Sequence, residues 1–183
     1  MSETPTLTVD TFTDYVPLAV STALPTGLRP RYIFNGLRSE IGEAIGKFAK
    51  HDLKGATPEA FAKMRDGMIL ELGDICWYIA LATHVKNLHP ATLTGRAELH
   101  FHYDDEERDN WINHDLDYLY RHAATFTWAT LTHTDTKFLL YTVEHLAHLI
   151  GSDLPEVMSL NVAKLGVRKL ENTLIGNGDG AHR

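Results

Sequence analysis

Apolar residues recur along most of this chain at intervals of three and four, the pattern of helices that each bury one face. From Thr11 to Leu24, the residues Phe12, Tyr15, Val16, Ala19 and Ala23 share a face, with Asp10 or Thr11 as the cap. Residues before about 8 read as a loose start, and Pro25-Thr26-Gly27 closes the first helix. Pro30 then precedes a second helix over about Arg31 to Lys50, whose stripe is Ile33, Phe34, Leu37, Ile41, Ala44, Ile45 and Phe48. A polar connection containing Gly55 follows. Thr57-Pro58-Glu59 starts a third helix, because it combines a hydroxyl cap, a first-turn proline and an early acid. That helix should run to about Asn87, carrying Phe61, Met64, Met68, Leu72, Ile75, Ile79 and Ala82.

The helical period breaks over residues 91 to about 109. Leu99-His100-Phe101-His102-Tyr103 alternates weakly, and Asp104 to Asp109 is a charge run that reads as a solvated loop or a helix start. Helices resume over about 110–131 and 136–150, the latter with Asp135 as cap and Gly151 as its stop. Asp153 and Glu156 then open a last helix through about Leu170 with a capping-box pattern. The tail from Gly176 to Arg183 is flexible on composition. The expected fold is all-α, without repeats or a dividing linker, and with one irregular excursion near residue 100.

Within these stripes sit two acidic repeats, Glu40-Ile41-Gly42-Glu43 and Glu71-Leu72-Gly73-Asp74. Residues three apart lie one turn above each other on a helix. A lone pair of this kind is usually a solvated face. Two such pairs, on consecutive helices joined by a short turn and each embedded in apolar residues, predict four carboxylates converging in a seam. Such groups repel one another unless a cation sits among them. All-oxygen donors suit Mg²⁺, with Mn²⁺ able to substitute. The usual substrate of such a cage is a phosphate. Gly42 and Gly73 beside the acids would let the two helices approach closely.

Composition narrows the alternatives. The chain has 183 residues and a net charge of −7, which disfavours nucleic-acid binding through a broad basic surface. One cysteine, Cys76, permits no intrachain disulfide. The start MSETPTLTVD has neither a basic beginning nor an apolar run, so no signal peptide is expected. No stretch is expected to reach the roughly 18 to 20 apolar residues of a membrane span. A cytoplasmic protein is the expectation. Eleven histidines invite a zinc site, with His145 and His148 three apart and His100 and His102 flanking Phe101. Structural zinc usually recruits cysteines as well, so a histidine metal site is not expected. A His-Asp phosphohydrolase is disfavoured too, since His51-Asp52 and His114-Asp115 stand alone. Trp77, Trp111 and Trp128 read as core or interface residues.

The acidic repeats resemble those of the MazG-like all-α nucleoside triphosphate pyrophosphohydrolases, in which Glu-x-x-Glu is followed some tens of residues later by Glu-x-x-Asp. Leu37-Arg-Ser-Glu-Ile-Gly-Glu-Ala44 is similar to the first motif and Glu71-Leu-Gly-Asp-Ile-Cys-Trp-Tyr-Ile-Ala80 to the second. Asn161-Val-Ala-Lys164-Leu-Gly-Val-Arg168 resembles the family's Asn-x-x-Lys-Leu-x-x-Arg element, and the tail through Asp179 and Arg183 resembles the ending of phage and bacterial members. One departure stands out: about sixty extra residues, roughly 91–150, separate the second motif from the third.

The resemblance implies a single MazG-like domain over 1–183 with an insertion at about 91–150. It also implies Mg²⁺-dependent hydrolysis of a (d)NTP to the monophosphate and pyrophosphate. Two or three ions would be held by Glu40, Glu43, Glu71 and Asp74, one acid of the first pair serving as base. Lys164 and Arg168 would clamp the outer phosphates, with Lys47 behind them, Asn161 on sugar or phosphate and Tyr78 against the sugar. Asp179 and Arg183 would close over the substrate. Base and sugar contacts are expected from Tyr15, Ala19 and Thr22 on the first helix and from Asn35 or Arg38. A purine deoxynucleotide, dGTP first, is the expected substrate, and a homodimer or homotetramer the expected assembly. The competing class is a catalytically inactive helical assembly or nucleotide-sensing protein on the same scaffold. The intact acids together with Lys164 and Arg168 favour the enzyme.

Overall fold

A computed structural model of the chain describes residues 8–55, 57–93 and 104–170. The described residues form six α-helices: α1 (Phe12–Thr22), α2 (Pro30–Leu53), α3 (Pro58–Val85), α4 (Asp105–Thr125), α5 (His133–Leu149) and α6 (Leu154–Leu170). Short 3₁₀ turns at Pro25–Leu28 and Pro90–Thr92 link them. The all-α expectation is met. The alternating stretch 99–103 lies outside the described residues, as does the tail with Asp179 and Arg183.

Local chemistry explains the boundaries. Thr11 caps α1 and Thr57 caps α3, each hydroxyl accepting a backbone N–H three residues on. The charge run at Asp104 is a helix start. Asp104 and Glu107 form a reciprocal capping box, so α4 begins five residues earlier than its apolar spacing predicts. Asp135 is likewise the inner half of a box whose cap is Thr132, which moves the start of α5 back to His133. Gly151, at φ 72°, turns the chain out of α5 through a conformation that side chains resist. Asp153 then accepts the Glu156 N–H at 2.7 Å to begin α6.

Helix α3 is the axis of the fold. It is apolar nearly all round, and α1, α2, α5 and α6 all pack on it. Contrary to the sequence expectation, it is long and apolar enough to cross a membrane by length and composition, with mean hydropathy 1.3 over its best window. Other helices bury 72% of that window, which accounts for the apolarity as core packing. Helices α4 and α5 lie against α2 and α3 respectively, and two arginines tie them there. Arg38 on α2 donates to the carbonyls of Ala123 and Phe126 at the end of α4, at 2.7 and 3.0 Å. Arg65 on α3 donates to the carbonyls of Ile150 and Gly151 at the end of α5, at 3.1 and 3.2 Å. Both satisfy carbonyls that a helix end leaves without partners.

Helices α2 and α3 run antiparallel in one constant register. Gly36 meets Tyr78, Glu40 faces Asp74, Glu43 faces Glu71 and Lys47 crosses Gly67. A Cβ on Gly36 would come within 2.1–2.3 Å of the Tyr78 ring, so only glycine admits that contact. The glycines beside the acids behave differently from expectation. Gly42 has open space around it, and Gly73 is pressed against Asn161 and Val157 of α6 rather than against α2. The close approach of the helix pair comes from Gly36 and Gly67.

Candidate functional site

Register brings the two acidic repeats together. Glu40 and Glu43 are one turn apart on α2, and Glu71 and Asp74 one turn apart on α3, because the stripe Leu37, Ile41, Ala44 of α2 packs on the core side of α3. One carboxylate oxygen from each of Glu40, Glu43 and Glu71 lies within 4.8 Å of the others. Glu71 is only 8% exposed, whereas Glu43 faces solvent. Two of the four acids have a counter-ion. Lys47 Nζ sits 3.2 Å from Glu71, and Lys164 Nζ sits 2.5 Å from Asp74. Glu40 and Glu43 have no ion pair among the described residues.

The electrostatic result is a crowded cluster in which Glu40 and Glu71 are driven toward their protonated forms. Burial, reinforced by the charges of Asp74, Glu43 and Glu71, pushes the Glu40 carboxyl up to about 8. Burial also raises Glu71, although Lys47 pulls the other way. Three hard oxygen donors at this spacing, with mutual repulsion that a dication would relieve, fit Mg²⁺ or Mn²⁺. Asp74 stands beside the trio and is its strongest charge neighbour at Glu40.

Asp74 is held from the far side. Asn161 Nδ2 donates to Asp74 Oδ1 at 2.8 Å, and the Asn161 carbonyl in turn accepts the Tyr15 hydroxyl at 2.7 Å. Tyr15 is fully buried. A chain of contacts therefore runs from α1 through α6 to the acid on α3, and Gly73 permits it by letting Asn161 lie directly over the α3 backbone. The spacing Asn161…Lys164 is legible in sequence, since both fall on one α6 face. The role of Tyr15 behind them is not, since nothing local marks which tyrosine meets which asparagine.

The other expected site residues divide. Lys47 and Lys164 reach the acids, and Arg168 lies one turn beyond Lys164 on an exposed part of α6. Tyr78 lies one turn past Asp74 but is packed: its ring fills the notch at Gly36, 5.9 Å from the Tyr32 ring and 4.9 Å from Trp77. It has no face left for a sugar or base to stack on. Arg38 is turned to the α4 carbonyls rather than to the acids. Tyr15 and Ala19 are sealed in the core, and Thr22 accepts the Trp77 indole N–H at 3.0 Å, so the first helix offers these three to the interior. Asn35 is exposed on α2.

Among the tryptophans, Trp77 and Trp128 pack partly buried against the core, while Trp111 is 42% exposed with its ring edge-on to His114 and His145. The His114-Asp115 dipeptide does not stand alone. Asp115, buried on α4, meets His145 Nδ1 of α5 at 2.6 Å and His114 Nδ1 at 3.2 Å, which joins the two helices.

In comparisons with known proteins, no family model, no curated protein and no solved structure matches this chain.

Proposed function

We propose that the chain is a Mg²⁺-dependent hydrolase that cleaves a (d)NTP to the (d)NMP and pyrophosphate, on a MazG-like helical scaffold. One observation carries the reading: Glu40, Glu43 and Glu71 converge across α2 and α3 with Asp74 at their side, and two of the four have no counter-ion among the described residues. A solvated acidic face has no reason to bury Glu71 or to crowd Glu40 until its carboxyl is pushed up to about 8; a metal-phosphate site does.

Glu40, Glu43, Glu71 and Asp74 would hold the metal, which when bound supplies charge for the phosphate oxygens and a water of lowered pKa. The chain's own groups do the rest. Glu43, the most solvent-open of the trio, accepts the proton of the attacking water at a carboxylate oxygen. Lys164 turns from Asp74 toward a phosphate oxygen, freeing that carboxylate, and Arg168 extends the grip one turn further out. Tyr15 and Asn161 keep Asp74 aimed throughout. A purine dNTP, dGTP first, remains the proposed substrate, and the setting cytoplasmic. A homodimer or homotetramer is supported by apolar side chains left exposed on the outer helices, among them Tyr120, Phe138, Leu160 and Val167.

The test is pyrophosphate release from a panel of dNTPs with Mg²⁺ or Mn²⁺, wild type against Glu43→Gln. Turnover by the wild type and its loss in the variant is the expected result. Equal turnover by both, or none by the wild type with any nucleotide, overturns the reading.

A further inference from the structure

Beyond Lys47, the seam between α2 and α3 opens into a cavity of about 300 Å³ with the opposite charge. It is lined by Lys47, Lys50, His51 and Lys54 from the end of α2 and by Ala60, Lys63, Met64 and Gly67 from the first half of α3. The chain has eight lysines and a net charge of −7, yet four of the eight meet here. Like charges converge at a cost, so such a gathering points to an anion. Two of these lysines are explained in part by the C-terminal dipole of α2, since Lys50 and Lys54 lie at its last turn. Lys63 belongs to the other helix and has no such reason to be there.

A second observation is independent of the lysines. His51 is 2% exposed, and its Nδ1 has no hydrogen-bond partner among the described residues. Its Nε2 lies 3.1 Å from Oδ2 of Asp109 on α4. Phe48 and Phe61 fix the ring from two sides. His51 lines the cavity, so its wall contains a buried ring nitrogen that still needs a partner. Gly67 shapes the same wall: Lys47 lies flat across it, with Cδ only 3.1 Å from where a Cβ would be. That path lets one lysine line the cavity with its stem while its ammonium reaches Glu71.

We infer that this cavity is a binding site for a polyphosphate group, a compact anion of several charges such as inorganic pyrophosphate. Its recognition is electrostatic, by Lys50, Lys54 and Lys63 with His51 at the back and Lys47 at the edge. Lys50 stands seven positions after Glu43, so the first of the cavity's lysines unpaired among the described residues lies about 10 Å along α2 from the acids, at roughly 1.5 Å per residue. The occupant has two candidate sources with one chemistry: pyrophosphate released in the proposed reaction, or the phosphate tail of a nucleotide. The anion site itself does not rest on that reaction.

The experiment is calorimetric titration of the full chain with sodium pyrophosphate in EDTA, so that no divalent metal takes part. Wild type is expected to bind, more weakly as salt is raised. The triple variant Lys50→Ser/Lys54→Ser/Lys63→Ser is expected to lose at least about tenfold in affinity, the scale of one charge-assisted contact. These lysines are exposed, and an unchanged melting curve verifies the fold. Glu43→Gln is expected to bind as the wild type does. Absence of metal-free binding by the wild type, or equal binding by the triple variant, overturns the inference, whatever the turnover assay gives. Pyrophosphate binding without any nucleotide turnover would leave this site standing and remove the proposed reaction. Repeating the titration with a non-hydrolysable dGTP separates the sources. A triple variant weakened toward both ligands places a nucleotide tail here, and one weakened toward pyrophosphate alone places the free anion.

Discussion

Along one helix pair, the middle holds four carboxylates and the end holds Lys50, Lys54 and Lys63, with Lys47 bridging the two. The acidic half is half-buried and over-determined: Tyr78 in its notch at one side, Asn161 and Tyr15 behind Asp74, Lys47 and Lys164 as counter-ions. The basic half is open, its lysines mostly exposed on flexible stems, with one rigid buried group in His51. The difference is instructive. Charges that must hold a small hard ion have to be fixed within a fraction of an ångström, so they sit on rigid elements with support behind them. Charges that attract a diffuse anion work through number and proximity, and flexible side chains suffice.

Each half can be broken separately. The largest effect is expected from Glu43→Gln, which should lower turnover by about 10²–10³-fold, the scale of losing one group that acts on developing charge. Metal-free pyrophosphate affinity should stay as it was. Next, Gly36→Ala would drive a methyl into the Tyr78 ring, where a Cβ has no room. Overpacking of this kind costs about 1–3 kcal/mol, measurable by urea melts. It should also spread the acids, one turn away, more than the lysines, four turns away. Tyr15→Phe removes the donor that holds Asn161 and leaves a buried carbonyl oxygen without its partner. A loss of about 1–2 kcal/mol is expected, with turnover falling and substrate affinity little changed.

pH sharpens the contrast. The Glu40 carboxyl is raised in the folded chain to about 8, against an ordinary value of 4.5. Between those values the folded state therefore holds more protons than the unfolded one. Stability from this group is fully present below about pH 4.5 and is lost as pH rises through about 8. In EDTA the melting temperature should fall across that window, and Mg²⁺, binding the folded state alone, should restore it. A flat profile in EDTA would show that Glu40 is neither desolvated by burial nor crowded by its neighbours as placed. The smallest effect is expected from Lys54→Ser by itself: a stability change within about 0.5 kcal/mol, as for an exposed side chain with no fixed partner.

How much of this the sequence disclosed follows from range. Acid pairs three residues apart announce themselves, because one helical turn is a local fact. The helix stripes did the same for α2, α3 and α6. Where α4 and α5 start was hidden by chemistry that resembles a loop, since Asp104, Glu107, Thr132 and Asp135 are polar residues doing helix-capping work. The basic cavity was illegible because its lysines belong to two helices separated by a turn, and each alone reads as a solvated face. Arg38 misled for the opposite reason: it stands beside the first acidic motif, but an arginine reaches far enough to serve a different neighbour.

The two arginine tethers bear on how this chain can be cut. Excising residues 104–151 would do more than trim a loop from the outside. It would strip the carbonyls from both guanidinium groups and bare the flanks of α2 and α3 that α4 and α5 now shield. The segment is thus no detachable ornament. Any shortened version would have to refill those two faces, with new apolar side chains or with a second subunit.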